Sequence, residues 1–478
     1  MDQNAYFEKG LAIVRRLNEC TYEAYLVGGI VRDFLMHMPF TDIDIATSAT
    51  PEQILEVFPD ASTEYMTMGT MSVRLDGYKF EIATFRSEVY TVSRKPSEIH
   101  YSLKLQDDIM RRDFTINGLG MSASQKIIDF CGGKKDLQKG IIRTIARPKK
   151  SFREDPLRIL RAFSLMARFN FRLAHATKIG IKQTKKYLIE VSDYKVSAEL
   201  RKIFEAPYGK KTLRRMKRLG LLPHLKYYGE GIPYLIKRFG ELTILEKMAI
   251  CFKRSGNFPT IHALTHQEMK DVQSLVDLSN ELEKTDATPL MVYHHGADKL
   301  RQADQINVLL VKDYKSKAKQ ITKVQKQTVF VSNSQMAFKA QNLIELTGGV
   351  TGPFVGEIIE SLKEQIISGI IPNEFEVLKT EALRQYELYQ QKPKTKEKVN
   401  YTPVKHAEKE EFDAELFNQY KREFALRFEE NLALIHDFDK KPKAEQEAIK
   451  KQVREAVHTL LVKQKPEYKK FEVNKDEI

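Results

Sequence analysis

The sequence predicts an α+β protein: a head of mixed strands and helices over residues 1–150, then an all-helical remainder. Three observations carry that prediction. In the head, "AYLVG" and the period-two run "DIDIAT" enclose the helical pattern "VRDFLMH". The alternating segments "TMSVRL" and "YKFEIATF" flank Asp76-Gly77, a pair that suits the positive φ angles of a tight hairpin turn. From "SFREDPLRILRAFSLMARF" onward, apolar residues recur at helical spacing through "TLRRMKRLGLLPHL", "LTILEKMAICF" and "FVGEIIESLKEQIISGII".

At 478 residues the chain is long enough for about three domains. A hydrophobic fraction of 42%, 30% charged residues and no apolar run of membrane length argue against a spanning helix. The opening "MDQNAYFEKGLAIVRRLNEC" has early acids and amphipathic spacing instead of a basic segment and apolar stretch, so a cytoplasmic protein is expected. Cys20, Cys131 and Cys251 are scattered and odd in number, which fits reduced thiols rather than a disulfide frame. A net charge of +14 and a pI near 9.3 make a polyanionic partner plausible. After Gln391, "KPKTKEKVNYTPVKHAEKEEF" is poor in apolar residues and rich in lysine, the composition of a linker before a charged tail.

Within the head, Gly28-Gly29 follows a strand and precedes a helix, where backbone amides can approach a phosphate. Arg32, one turn on, adds a guanidinium. Side chains alternate along a strand, so Asp42 and Asp44 share one face while Ile43 and Ile45 face the core. Two adjacent carboxylates repel unless a cation joins them, and Mg²⁺ takes such oxygen ligands together with substrate phosphates. In the hairpin, inward Phe80 and Ile82 leave Glu81 on the open face as a third acid. In "RRDFTIN", Arg112 suits a triphosphate, and Asp113 and Asn117 are placed to face a ribose from the start of a helix.

The segments "LVGGIVRD…DIDIAT", "IATFR", "RRDFTING", "DFCGGKKDLQKGIIRTI" and "REDPLRILRA" occur in the order found in bacterial class II tRNA nucleotidyltransferases. The chain resembles these CCA-adding enzymes of the polymerase-β-like superfamily, densely over residues 22–170 and more weakly beyond. The resemblance implies a polymerase-β-like nucleotidyltransferase head (1–150), a helical neck (151–222), a helical body (223–330) and a tRNA-binding tail (331–391), before the Lys-rich extension (392–478). It implies that Asp42 and Asp44 hold Mg²⁺, and that Gly29, Arg32, Arg112, Arg158 and Arg161 bind nucleotide. The expected reaction is addition of CCA to the 3′ end of tRNA from CTP and ATP, by two-metal nucleotidyl transfer. Poly(A) polymerases and partial CC- or A-adding enzymes share the head, and a silent RNA-binding protein is the rival of another class.

In "EDPLRILRA", Asp155, Arg158 and Arg161 are expected on one helical stripe. Cytosine and adenine each place an amino group beside an unprotonated ring nitrogen, which a carboxylate and a guanidinium can read together. Uracil and guanine present the reverse pattern and would set a buried carboxylate against an oxygen. "FRSEVYTVSRKPSEIHY" sits where the family has a flexible loop. Two departures stand out: Ser164 replaces a further arginine on the stripe, and the family's Ile-Ser-x-Glu-Arg aligns with "VSDYK", putting Tyr194-Lys195 at Glu-Arg. His294-His295 has no partner set for a hydrolase metal site and is expected at the surface.

Overall fold

The computed structural model describes residues 2–66, 69–89, 98–328 and 334–391. The chain divides into two compact units, Met1–Gln391 and Lys392–Ile478, and the second, with the expected Lys-rich extension, lies outside the described residues.

The head opens with α1 (Gln3–Glu19), whose first turn is capped by Asp2 Oδ1 accepting from the amides of Asn4 (3.0 Å) and Ala5 (3.3 Å). Then follow β1 (Ala24–Val27), α2 (Gly29–Leu35), β2 (Asp44–Thr47), α3 (Pro51–Val57), β3 (Thr70–Leu75) and β4 (Tyr78–Thr84). The head continues with β5 (Arg86–Val89), β6 (Glu98–Tyr101), α4 (Leu105–Met110), β7 (Leu119–Met121), β8 (Ile127–Asp129), α5 (Gly133–Gln138) and β9 (Ile141–Ile142). Six of these strands form one mixed sheet in the order β3-β4-β2-β1-β7-β8, in which only β2 and β4 run parallel. The expected hairpin is present: Leu75 pairs with Tyr78 across Asp76 (φ 50°) and Gly77 (φ 82°).

Strand alternation decides what each face carries. Leu26, Ile43, Ile45, Phe80 and Ile82 are buried in a core shared with Phe7, Leu11 and Val14 of α1. Val27 and Ala46 point the other way and pack with Phe85 and with Leu105 and Ile109 of α4. Asp44 alternates onto that second face, the one on which α4 sits. The expected flexible loop is partly ordered, because its arms β5 and β6 pair from Arg86↔Tyr101 to Val89↔Glu98; residues 90–97 lie outside the described residues.

The helical remainder has one small exception. After α6 (Pro148–Glu154) and α7 (Leu157–Phe169), β10 (Arg172–Leu173) pairs in parallel with β9 and ties the first neck helices to the head. There follow α8 (His175–Thr184), α9 (Asp193–Glu205), α10 (Gly209–Leu219), α11 (Ile232–Arg238), α12 (Ile244–Ser255) and α13 (His266–Lys284). The series ends with α14 (Pro289–His295), α15 (Ala297–Leu310), α16 (Ala318–Gln327), α17 (Ala340–Leu346), α18 (Pro353–Ile367) and α19 (Phe375–Gln391). One apolar core runs from Tyr6 to Leu309, whereas Met336, Phe338, Leu362 and Leu378 belong to a separate cluster. His294 Nε2 lies 3.0 Å from Glu364 Oε1 and joins α14 to α18. Among the described residues no helix is long and apolar enough to cross a membrane.

Candidate active site

The pairing register assembles the acids. Val27 at the end of β1 lies opposite Asp44, and Asp44 lies opposite Glu81 across the parallel β2–β4 pair. Asp42 and Asp44 are exposed while Ile43 and Ile45 are buried, as alternation requires, although β2 proper begins only at Asp44. Partial burial pushes the Asp44 carboxyl above its usual range; Glu81 and Asp42 push it further, and Arg112 and Arg161 oppose them. Glu81 lies 3.4 Å from Lys79 Nζ. Among the described residues, no group of three His, Cys, Asp or Glu side chains is gathered closely enough to hold a metal unaided. The donor set nonetheless fits Mg²⁺: the hard carboxylate oxygens of Asp42 and Glu81 act on that of Asp44, whose raised proton affinity a divalent cation would relieve.

The glycine turn begins directly beside Asp44. Gly28 has φ 76°, and a Cβ built on it would lie 2.7 Å from Arg112 Nη1, so both conformation and space exclude a side chain. Arg112 is held from behind: its Nε and Nη2 donate to Asp108 Oδ2 at 3.1 and 2.9 Å, while Arg111 Nε and Nη2 donate to Oδ1 at 3.0 and 2.5 Å. Burial raises the Asp108 carboxyl, but Arg112 and Arg111 overcome it and hold the group below its usual range. Asp108 was not among the expected site residues. Its signal was the spacing of one acid three and four residues before two arginines.

Several expected nucleotide contacts are instead bound to one another. Arg32 is buried; its Nε donates to Asp33 Oδ1 (2.8 Å) and its Nη1 to Asn117 Oδ1 (2.5 Å). Asn117 Nδ2 donates to Asp113 Oδ1 (2.9 Å), which also accepts from the Phe114 amide (2.8 Å). Asp113 Oδ2 accepts from Arg161 Nε at 2.7 Å. Arg168 Nη2, 3.0 Å from Asp33 Oδ2, brings the chain back to α7, so a circuit of ion pairs and hydrogen bonds joins α2, the "RRDFTIN" segment and two turns of one helix. The Phe169 ring lies between Arg32 and Arg168, 4.9 and 4.7 Å from their Cζ atoms. Burial raises the Asp113 carboxyl, yet Arg161 and Asn117 hold it low; Asp113 in turn raises Arg161. The expectation that Asp113 and Asn117 face a ribose is therefore corrected for their bonded atoms: the side chains brace the wall of the cavity they line.

The stripe expectation is corrected at its first member. Asp155 ends α6 in extended conformation (φ −141°, ψ 99°) and α7 starts only at Leu157, because Pro156 cannot continue a helix from its predecessor. Asp155 Oδ1 accepts from the Leu157 amide at 3.0 Å, and its other oxygen has no partner among the described residues. Arg158 makes no ion pair with Asp155; its Nη1 donates to Ser151 Oγ and its Nη2 to the Arg111 carbonyl, each at 2.9 Å. A cavity of about 430 Å³ is lined by Gly28, Gly29, Arg32, Asp44, Arg112, Asp113, Asn117, Asp155, Arg158 and Arg161 among others. A second, of about 490 Å³, shares Arg32, Asn117 and Arg161 with it and is lined by Asp42, Ser164 and Glu199. Ten of the twelve expected site residues line the first cavity, Asp42 lines the second, and Glu81 lines neither.

Tyr194 and Lys195 are exposed in the first turn of α9 and brace nothing. Further along the same helix Ser197 and Glu199 are buried. Glu199 meets the other departure: Ser164 Oγ donates to Glu199 Oε2 at 2.5 Å and joins α7 to α9, while Lys202 Nζ of the same helix donates to Oε1 at 2.7 Å.

Family models match three stretches: "Poly A polymerase head domain" over residues 24–143, "Probable RNA and SrmB- binding site of polymerase A" over 170–228, and "tRNA nucleotidyltransferase domain 2 putative" over 262–382. The CCA-adding enzyme of Staphylococcus saprophyticus is 29% identical over 390 residues, covering 77% of this chain and 96% of the relative. That of Bacillus cytotoxicus is 28% identical over 385 residues, covering 78% and 97%. The chain belongs to the class II CCA-adding enzyme and poly(A) polymerase head family. As a member it is a nucleotidyltransferase. The fold matches the Bacillus stearothermophilus CCA-adding enzyme in complex with CTP, with TM-score 0.58, 23% identity and coverage of 80% of this chain and 99% of that one.

Proposed function

We propose that this nucleotidyltransferase rebuilds the 3′-terminal CCA of tRNA from CTP and ATP without a template, in the cavity between the glycine turn and α7. The observation that carries the proposal is the unpartnered oxygen of Asp155 beside Arg158, in the same cavity as Gly28, Arg112 and Asp44. An acceptor and a donor fixed to different supports can meet the amino group and ring nitrogen that C and A share. The relatives' names support the tRNA end as the site of addition, and the solved relatives with CTP and with ATP support those two substrates.

Gly28 lets the triphosphate approach the backbone, and Arg112, oriented by Asp108, neutralises its charge. Asp113, Asn117 and Arg32 hold the wall rigid, so little reorganisation is needed when nucleotide enters. Asp42 and Asp44 would hold Mg²⁺, which supplies activation of the attacking hydroxyl and neutralisation of the departing charge. The tRNA 3′-oxygen forms a bond to the α-phosphorus as the α–β bridging bond breaks, and pyrophosphate leaves. In this division of labour the head (1–150) performs the chemistry, the neck (151–222) selects the base, and body (223–330) and tail (331–391) grip the tRNA. The test is incorporation of labelled CTP and ATP into tRNA lacking its CCA end. Wild type should add C, C and A and stop, and Asp42→Asn or Asp44→Asn should abolish addition while tRNA binding persists. Addition of A alone, or of long A tracts, would overturn the proposal.

A further inference from the structure

The segment that leads from α2 to Asp42 has little hold on itself. Its turn ends with the Met38 amide donating to the Asp33 carbonyl at 2.9 Å, with His37 at φ 53°. Among the described residues, Pro39, Phe40, Thr41 and Asp42 make no backbone-to-backbone hydrogen bond. Side chains from elsewhere supply the hold. On the head side Gln3, the first residue of α1, brackets Phe40: its Nε2 donates to the Phe40 carbonyl at 3.0 Å, and its Oε1 accepts from the Phe40 amide at 3.4 Å. On the neck side Arg168, near the end of α7 and 129 positions from Pro39, donates from Nη2 to the Pro39 carbonyl at 2.9 Å. The same nitrogen lies 3.0 Å from Asp33 Oδ2, and the Phe169 ring centre lies 4.7 Å from Cζ, so the guanidinium is fixed by three groups although its side chain is 40% exposed. An ion pair that open adds little to stability, so support of the fold alone does not account for so constrained an arginine.

Helix α7 grips the backbone of the head at two places. Arg158, near its start, donates to the carbonyl of Arg111, the peptide that leads into Arg112. Arg168, near its end, holds the carbonyl of Pro39, three residues before Asp42. Ten residues separate the two grips, about 15 Å at 1.5 Å per residue. One stiff helix therefore spans from the segment of Arg112 to the segment of Asp42. The two aspartates differ in what fixes them. Asp44 is set by strand pairing with Val27 and Glu81, whereas Asp42 precedes β2 and receives only the Thr41 hydroxyl, at 2.9 Å, in the cavity that Arg168 also lines. We infer that Arg168 is a positioning residue for Asp42: through the Pro39 carbonyl it sets where the Asp42 carboxylate stands relative to Asp44. This positioning rests on the proposed metal role of the two aspartates, and it assigns a part in the reaction to a side chain outside the cavity that takes the nucleotide. A misplacement of about 1 Å in a group that orients reacting atoms costs on the order of 100-fold in rate.

The experiment compares wild type, R168A, R168K and Q3A as full chains. It measures steady-state transfer from CTP to tRNA lacking its CCA end and, without tRNA, the binding of Mn²⁺ in the presence of CTP by electron paramagnetic resonance. R168A should lower kcat on the order of 10- to 100-fold with the KM values for CTP and tRNA within about threefold, and should weaken Mn²⁺ binding about tenfold. Millimolar guanidinium should restore part of both losses to R168A and nothing to Q3A. Q3A removes the hold at Phe40 without removing a charge, so it should lower kcat and Mn²⁺ affinity in the same direction by a smaller factor. R168K keeps the charge but not the planar donor group and should fall between wild type and R168A. Wild-type kcat and Mn²⁺ affinity in an R168A chain of normal thermal stability would overturn the inference. So would a silent Q3A beside an R168A that raises the KM for tRNA with kcat intact, which would make Arg168 a direct phosphate contact. If R168A does not fold, Q3A and R168K decide by the same two measurements. Mn²⁺ binding that depends on Asp42 and Arg168 in a wild type that transfers no nucleotide would instead overturn the proposed reaction and leave the positioning of Asp42 standing.

Discussion

Asp108→Asn separates the support of the phosphate site from the site itself. The native carboxylate is fully buried and accepts four N–H bonds, two from Arg111 and two from Arg112. In asparagine one oxygen becomes an NH₂ group that meets a guanidinium donor to donor, so one two-pronged contact is lost while the other survives. Removing one partner from a buried pair costs about 3–5 kcal/mol. The guanidiniums keep 19% and 18% of their surface in water and can turn partly outward, so the lower end, about 3 kcal/mol, is expected. That is roughly a hundredfold shift in the unfolding equilibrium, to be read from urea denaturation at pH 7 with an unchanged m-value. Arg112 Nη1 lies against Gly28, so its release should also raise the KM for CTP about tenfold while tRNA affinity stays within twofold. The pH dependence has a definite sign. The Asp108 pKa is depressed in the fold, so its stabilisation is complete above the unfolded value, about 3.9, and disappears as pH falls through the folded one. The gap between wild type and variant should therefore close below about pH 4. A loss under about 1 kcal/mol with an unchanged KM would show that the two arginines keep their places without Asp108, and would refute the argument.

Two further outcomes follow from single residues. Asp155→Ala should reduce discrimination against UTP and GTP by about 1–3 kcal/mol in four-nucleotide competition. Asp155→Asn, which can still accept from the Leu157 amide, separates that loss from the roughly 1 kcal/mol capping effect on stability; full preference for C and A in the alanine variant would show the base is read elsewhere. Glu268 is held down to about 2 by Arg201 and by the Thr265 amide, so its stabilisation is present above its ordinary range and lost as pH falls towards 2. After allowance for solvent at this half-open pair, Arg201→Gln should flatten that acid limb by about 1 kcal/mol in urea midpoints between pH 5 and 2.5, and an unchanged limb would remove the pair from the account.

The sequence by itself determined the features that depend on local spacing and chirality. Asp42 and Asp44 share a face because strand side chains alternate, the hairpin turns at Asp76-Gly77 because both positions take positive φ, and Gly28-Gly29 turns the chain from strand into helix. The change from a mixed head to helices near residue 150 was legible for the same reason, since periods of two and of 3.6 differ within a few residues. Only the tertiary structure decided which polar groups spend their hydrogen bonds on one another. Nothing local marks Asp33 as the link between its neighbour Arg32 and the distant Arg168, and nothing local turns Asp113 toward Arg161. Spacing placed Asp155 on the α7 stripe, but the proline after it ended one helix and began the next, leaving its carboxylate on a corner. Ser164, a departure from the family pattern, and Glu199 show no connection along the chain. They are one contact in space, because packing of α7 on α9 brings a short hydroxyl against a buried carboxylate that no spacing rule connects.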